Sequence, residues 1–168
     1  MELNQKLLRQ FEQEAANTRK MLERVPEEHF DWKPHAKSMS LKALAAHVAE
    51  LPGMFIAYVL KSEELDFSTQ KYTPFAGTSH QELMAHFEEN YQKAVKALND
   101  TNVVEIAKNW TLRSGEHVIV SMPKQAVIRN LAMNHLIHHR GQLSVYLRLL
   151  DVPVPGMYGP SADEGFGG

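Results

Sequence analysis

The stretch SMPKQAVIRNLAMNHLIHHRGQLSVYLRLL, residues 121–150, is the most strongly periodic part of the chain and decides the fold. Its apolar side chains recur at intervals of three or four residues, which places them on one face of an α-helix. Pro123 suits the first turn of a helix, because the N–H that proline lacks would be unpaired there. We therefore predict a helix that opens at Ser121 and Pro123, ends near Leu150 and packs inward with the stripe Ile128, Ala132, Leu136, Leu143, Leu147 and Leu150.

Three earlier segments show the same helical spacing. In the third of them Ser79 is followed three residues later by Glu82, which is the pattern of a capping box at the start of a helix. In the second, Pro52 removes a backbone donor, so we expect this helix to be bent or interrupted near Leu51. The predicted helices are Leu3–Leu22, Leu41–Val59 and Ser79–Leu98.

The segment 110–120 differs from these helices. It reads as two short strands on either side of Ser114 and Gly115, which predicts a small hairpin before the last helix. Residues 151–168 are rich in proline and glycine and should form irregular chain. Four helices with some longer connections indicate an all-α fold, a four-helix bundle with a crossover connection. A chain of 168 residues fits a single domain, 1–168, since domains centre on about 100–150 residues.

Composition and charge argue against several classes of protein. There are 18 Lys and Arg against 20 Asp and Glu, whereas a surface that binds phosphates carries a basic excess, so we expect no nucleic-acid partner. The N-terminus does not resemble a signal peptide, and we identify no run of the roughly 20 apolar residues that span a bilayer. A cytoplasmic protein without a membrane partner is therefore expected. Cysteine is absent, so any metal must have nitrogen and oxygen ligands.

Two histidines of the last predicted helix fall among its apolar residues. His135 and His139 differ by about 40° around the helix axis and about 6 Å along it, so both imidazoles can bind one ion. His47 flanks the apolar stripe of the second helix, and a bundle that buries both stripes brings it opposite the pair. Burying imidazoles without partners is costly, and either coordination or hydrogen bonding would offset that cost. We predict a divalent-metal site here, and hydrogen-bonded core histidines are the alternative.

Three neutral imidazoles without a thiolate leave a bound ion with its full charge and an open position, which is typical of a catalytic site. Zinc and nickel are the expected metals, and iron and manganese fit the same ligands. We assign His138 to the edge of the helix face, beside the site or at a subunit contact. Glu50 and Arg140 are weaker catalytic candidates: Glu50, three residues after His47, could be a hydrogen-bond acceptor beside the ligands or a base, and Arg140 could bind a substrate carboxylate. A solvated glutamate and a surface ion pair are the corresponding alternatives.

Two stretches of the chain resemble a known family. HLIHHRGQLSVYLRLLDVPVPGMYGPSADE, residues 135–164, resembles the C-terminal signature of the DinB-like superfamily, and DWKPHAKSMSLKALAAHVAEL, residues 31–51, resembles its N-terminal one. The resemblance implies an antiparallel bundle whose divalent metal is held by one histidine of the second helix and two of the last, here His47, His135 and His139. Better understood members use bacillithiol, mycothiol or glutathione. Many are dimers, so a homodimer is expected.

Three functional hypotheses follow. The leading one is a metal-dependent S-transferase, in which the ion activates a low-molecular-weight thiol co-substrate for attack on a small-molecule electrophile. A hydrolase whose metal-bound water attacks the substrate would use the same ligands. The third is a non-catalytic stress protein that the metal only braces. Structural zinc sites normally have four protein ligands, which favours an enzyme over this reading.

Overall fold

The computed structural model of the protein describes residues 2–165 and is dominated by helices. The helices are α1 (Leu3–Leu22), α2 (Leu41–Leu51), α3 (Tyr58–Lys61), α4 (His80–Asp100), α5 (Val103–Ala107), α6 (Lys124–Val127) and α7 (His135–Leu149). The strands are β1 (Glu64–Asp66), β2 (Asn109–Ser114) and β3 (His117–Pro123). A short 3₁₀ turn, Glu27–His29, lies in the connection between α1 and α2.

Four long helical segments form the bundle: α1, α2 continued by α3, α4, and α6 continued by α7. Helix α2 packs against both α4 and α7, and α1 packs against the same two helices. Helix α4 begins with the predicted capping box, in which Ser79 accepts from the Glu82 N–H and the Glu82 carboxylate accepts from the Ser79 N–H. The predicted four-helix bundle is confirmed. Because α2 and α7 are neighbours, residues on their facing sides can form one site.

The second and fourth bundle helices are each interrupted by a π-helical segment. Pro52–Ala57 separates α2 from α3, which confirms the interruption predicted from Pro52. Ile128–Asn134 separates α6 from α7, and no feature of the sequence had indicated it. The two segments pack against each other, and His135 follows the second one directly. Short π-helical turns inside α-helices often occur at functional sites.

A three-stranded sheet in the order β1-β2-β3 accompanies the bundle. Strands β2 and β3 form the predicted hairpin, with Gly115 in the turn at a φ of 58° that glycine adopts without strain. Strand β1 pairs with β2 in parallel and was not predicted, because three residues carry no periodic signal. Ser121 and Pro123 do not open the last helix. They belong to β3, whose ladder continues until Pro123 pairs with Asn109, and the helix begins at Lys124.

The helical stretch Leu41–Lys61 is longer and more apolar than the sequence reading had recognised. By length and composition it could cross a membrane, with a mean hydropathy of 1.6 in its most apolar window. In the structure 72% of that window is buried, because α2 contacts both α4 and α7. We therefore interpret the stretch as the core helix of a soluble bundle. A cytoplasmic location stays a prediction.

The chain after α7 is irregular over residues 151–165, as predicted, and the remaining residues of that prediction, 166–168, lie outside the described part. Two ion pairs attach this tail to the bundle: Arg24 binds Glu164, and Arg148 binds Asp163.

Candidate metal centre

Three histidines from two neighbouring helices converge on one point. His47 lies in the middle of α2, and His135 and His139 lie one turn apart at the start of α7. The ring centroid of His47 lies 5.2 Å from that of His135 and 4.7 Å from that of His139, and the ring centroids of His135 and His139 are 4.6 Å apart. One ring nitrogen from each residue lies within 4.8 Å of the other two. The structure therefore brings together all three predicted ligands.

The hydrogen bonds of two of these rings fix which nitrogen faces the centre. His47 Nδ1 lies 3.2 Å from Glu50 Oε1, and since a carboxylate only accepts, Nδ1–H is the donor. His139 Nδ1 lies 2.7 Å from Gln142 Oε1 and donates in the same way. Both rings therefore direct the bare lone pair of Nε2 towards the centre, which is the arrangement in which outer-shell acceptors orient metal-binding histidines.

The closest approach in the cluster is between two ring nitrogens. His135 Nε2 lies 2.8 Å from His139 Nε2, and two nitrogen lone pairs cannot face each other at that distance without a proton or a cation between them. A divalent ion held by nitrogen ligands satisfies both at once. The donor set fits such an ion, because it consists of three imidazoles, which suit divalent transition metals.

Burial favours the neutral form of the α7 ligands. It lowers the pKa of His135, and the neighbouring His47 lowers it further, against the opposing effect of the Leu131 carbonyl. Burial likewise lowers the pKa of His139, although its hydrogen bond to Gln142 acts in the opposite direction. A neutral imidazole is the form that binds a metal, so less proton competition is expected here than at an exposed histidine.

Glu50 is the acidic residue of the site. Its side chain is buried, and it accepts from His47 and, at 2.8 Å, from the Tyr72 hydroxyl. Burial raises the pKa of this carboxyl, but hydrogen bonds from His47 and Tyr72, together with the nearby His86 imidazole, outweigh that effect and lower the pKa to about 2. Glu50 is therefore a charged acceptor that orients His47, which matches one of the two roles considered for it and makes it a poor proton acceptor at neutral pH.

Two residues near Glu50 were missed by sequence reasoning. Tyr72 lies in the connection between β1 and α4, and loop residues carry no periodicity that would point to them. His86 lies on α4 with its Nε2 buried, 3.9 Å from the second Glu50 oxygen and without a hydrogen-bond partner. Its position beside the inward residues Leu83 and Phe87 was the available signal. The spacing of His86 from the other histidines was uninformative because its partners lie on a different helix.

Arg140 lies away from the centre, on the side of α7 that faces α1. Its side chain is 2% exposed and binds Glu14 through Nη2 at 2.7 Å, with further bonds to Thr18 and Tyr158. It lines a separate cleft of about 360 Å³ beside the C-terminal tail. The structure thus places this candidate in a buried structural ion pair, which neither of the two sequence readings anticipated.

His138 is exposed, its ring lies 4.9 Å from that of His139, and it is linked to the site through Gln142. The Gln142 Nε2 donates to His138 Nε2 at 3.1 Å, while its Oε1 accepts from His139. This agrees with the assignment of His138 to the edge of the site. No fourth His, Asp or Glu joins the three ligands among residues 2–165.

Two clefts reach the histidine cluster from different sides. The larger, about 590 Å³, is lined by His47 and His135, and the smaller, about 430 Å³, by His139 and Gln142. Met39 lines both of them. A centre with three protein ligands and two approaches has room for bound molecules on either side.

A helical bundle with three converging imidazoles defines the class of protein. The chain belongs to the DinB family, whose sequence profile matches residues 1–165. It is 26% identical to the uncharacterized protein YrdA of Bacillus subtilis over 160 residues, which cover 94% of this chain and 89% of YrdA.

Two solved structures share the fold. A DinB-like protein, YjoA, from Bacillus subtilis has a TM-score of 0.68 at 23% identity and covers 88% of this chain and 96% of its own. A DinB-like protein from Bacillus cereus has a TM-score of 0.68 at 21% identity, and the match covers 90% of this chain and 95% of that protein. At these identities the likeness establishes the fold and not a reaction.

Proposed function

We propose that this protein is a divalent-metal-dependent S-transferase that joins a low-molecular-weight thiol to an electrophilic small molecule. The observation that carries the proposal is the set of three inward-facing imidazoles with two clefts beside them. A centre that only braces a fold is normally closed by four protein ligands. Here three are present in the described residues, so a position is left for a substrate.

The side chains of the centre have distinct roles in this proposal. His47, His135 and His139 hold the ion, Glu50 fixes the His47 ring, and Gln142 fixes the His139 ring. A bound divalent ion lowers the pKa of a coordinated thiol and so supplies a thiolate at neutral pH. In the transfer the thiol proton leaves to solvent, the sulfur forms a bond to the electrophilic carbon, and the leaving group departs with its electron pair.

The absence of cysteine is compatible with this chemistry. There is no thiol in the chain to occupy the open position or to react with the electrophile, so the sulfur has to come from a small molecule. Zinc and nickel are the proposed ions because both accept imidazole nitrogen and thiolate sulfur.

The proposal is tested with untagged protein loaded in turn with zinc, nickel and manganese. Consumption of glutathione, bacillithiol and mycothiol is followed with a panel of alkyl and aryl halides and epoxides. We expect metal-dependent consumption of at least one thiol, lost in His139→Ala and retained in His117→Ala, whose exposed imidazole lies on β3. If none of the metal-loaded forms accelerates the consumption of any thiol, the transferase proposal is rejected.

The same assay separates the other functions. Metal-dependent turnover of an ester or amide that needs no thiol would identify a hydrolase. Tight metal binding without turnover of any substrate would support a metal-braced, non-catalytic protein. The homodimer also stays a prediction, and light scattering coupled to size-exclusion chromatography measures it directly.

A further inference from the structure

The larger of the two clefts has a distinct chemical character. Its wall is formed mainly by apolar side chains from the end of the loop before α2, from α2, from the following π-helical segment and from the connection between β1 and α4. They are Met39, Ala43, Ala46, Met54, Phe55, Phe67, Pro74 and Phe75. A cleft of about 590 Å³ lies in the range that holds a small organic molecule, and an apolar wall favours an apolar ligand.

Much of this wall is open to solvent before any ligand binds. Phe67 is 52% exposed and Tyr72 is 59% exposed, although both are large side chains that proteins usually cover. A ligand that covers them would remove apolar surface from water at about 25 cal/mol per Å². The exposed aromatic residues therefore provide a driving force for binding at this position.

The cleft also carries one basic side chain. Lys42 lines it on α2, and it forms no ion pair with any residue of the described chain. The acidic residue of the cleft, Glu50, is already committed to His47 and Tyr72. Lys42 and His47 are about 7.5 Å apart along the helix axis, which is the length of a small ring system. An acidic group on the ligand would offset the charge of Lys42.

We infer that this cleft binds the electrophilic substrate, and that this substrate is an apolar molecule carrying one acidic group. The inference rests on the proposed transferase function and names its substrate class. The acidic group binds Lys42, and the apolar body packs against Phe67 and Phe75 and reaches the face of the centre formed by His47 and His135. The smaller cleft, lined by His139, Gln142 and Lys37, is left for the thiol.

Two fluorescent probes of matched shape test the inference on the whole protein. 1-Anilinonaphthalene-8-sulfonate has an apolar ring system and one acidic group, and N-phenyl-1-naphthylamine has the same rings without the charge. Each is titrated into metal-free and zinc-loaded protein. We expect the sulfonate to bind at least tenfold more tightly than the neutral probe.

Surface variants locate the binding site. Phe67→Ser should weaken the binding of both probes at least tenfold. Ile119 is an apolar residue on β3 that is about equally exposed, and Ile119→Ser should leave the binding of both probes unchanged. Lys42→Gln should weaken the sulfonate at least fivefold and leave the neutral probe unchanged, and Lys37→Gln should leave both unchanged. The inference is overturned if Phe67→Ser and Ile119→Ser lose probe affinity equally, or if Lys42→Gln does not selectively lose affinity for the sulfonate. It is also overturned if the parent protein binds neither probe.

A second measurement tests the position relative to the centre. In cobalt-loaded protein, the sulfonate should shift the visible absorption bands of the ion if its rings lie against His47 and His135, and unshifted bands at saturation would overturn the assignment. The probe experiments need neither thiol nor turnover. If the probes bind as expected but no thiol is consumed, the transferase proposal is rejected and the ligand class of the cleft is kept. If a thiol is consumed but the probes do not bind as expected, only the substrate class is rejected.

Discussion

Helix α7 carries two polar clusters on opposite sides, and they are satisfied in different ways. On the side facing α1, Arg140 is held in a buried network in which donors and acceptors of opposite charge meet. On the side facing α2, His135 and His139 bring acceptor nitrogens together at 2.8 Å. The first cluster is complete within the chain, whereas the second needs a proton or a bound cation between its two nitrogens. Buried polarity alone does not mark a functional site, but converging acceptors without their own cation do.

The largest expected effect is on the complete cluster. Arg140→Met leaves the buried Glu14 without its partner and should lower the free energy of unfolding by about 3–5 kcal/mol, measured by urea denaturation. The double variant Glu14→Leu with Arg140→Met should recover most of that loss. Arg148→Met, which removes an exposed pair with Asp163, should cost far less, because solvent screens an exposed ion pair. A loss in Arg140→Met no greater than that would contradict the structural role.

The second prediction concerns the incomplete cluster. Zinc at about 100 times its dissociation constant should raise the free energy of unfolding by about 2.7 kcal/mol, because it binds the folded chain preferentially. His139→Ala should abolish this increase, while His117→Ala should retain it. Elemental analysis of the purified proteins provides an independent measure of bound metal. An increase that survives in His139→Ala would mean that the ion binds elsewhere.

A smaller effect is expected from the residue that orients His47. Glu50→Gln removes the charged acceptor and should weaken metal binding by about 10–100-fold, because outer-shell acceptors set ring orientation and ligand basicity. Competition with a chelator measures this affinity. Glu89→Gln, an exposed glutamate on α4, is the matched control and should have no effect. Unchanged affinity in Glu50→Gln would reduce this carboxylate to a structural acceptor.

The smallest effect involves a third polar site, Asp66 in the sheet, which is completed by backbone and hydroxyl donors and by an ion pair with Arg113. The Gly115 N–H and the Ser68 hydroxyl and N–H lower the pKa of Asp66 from 3.8 to about 2. Since the folded pKa lies below the unfolded one, the stabilisation is present above about pH 4 and is lost as pH falls towards 2. Asp66→Asn should flatten this part of the stability profile, measured by urea unfolding at each pH. An Asp66→Asn profile as steep as that of the parent would contradict this assignment.

Much of this molecule could be predicted because its signals are local. The apolar spacing of 3–22, the capping box at Ser79 and the disruption at Pro52 each depend on neighbours a few residues away, and each was confirmed. Strand β1 and the π-helical segment Ile128–Asn134 were missed because they depend on what packs against them. The strand is held by β2, far along the chain, and the π-helical turn packs against its counterpart after α2.

The sequence by itself determined that this chain is an apolar-striped helical bundle and that His135 and His139 share a helix face, because both facts follow from helical periodicity. The sequence also predicted that His47 would meet them, and the packing of α2 against α7 brings it there. Only the tertiary structure decided that Glu50 orients His47 and that Arg140, one residue after His139, faces the other way into an ion pair with Glu14. One residue along a helix is a rotation of about 100°, which separates adjacent side chains onto different neighbours. Which neighbour each side chain meets is fixed only when the helices pack.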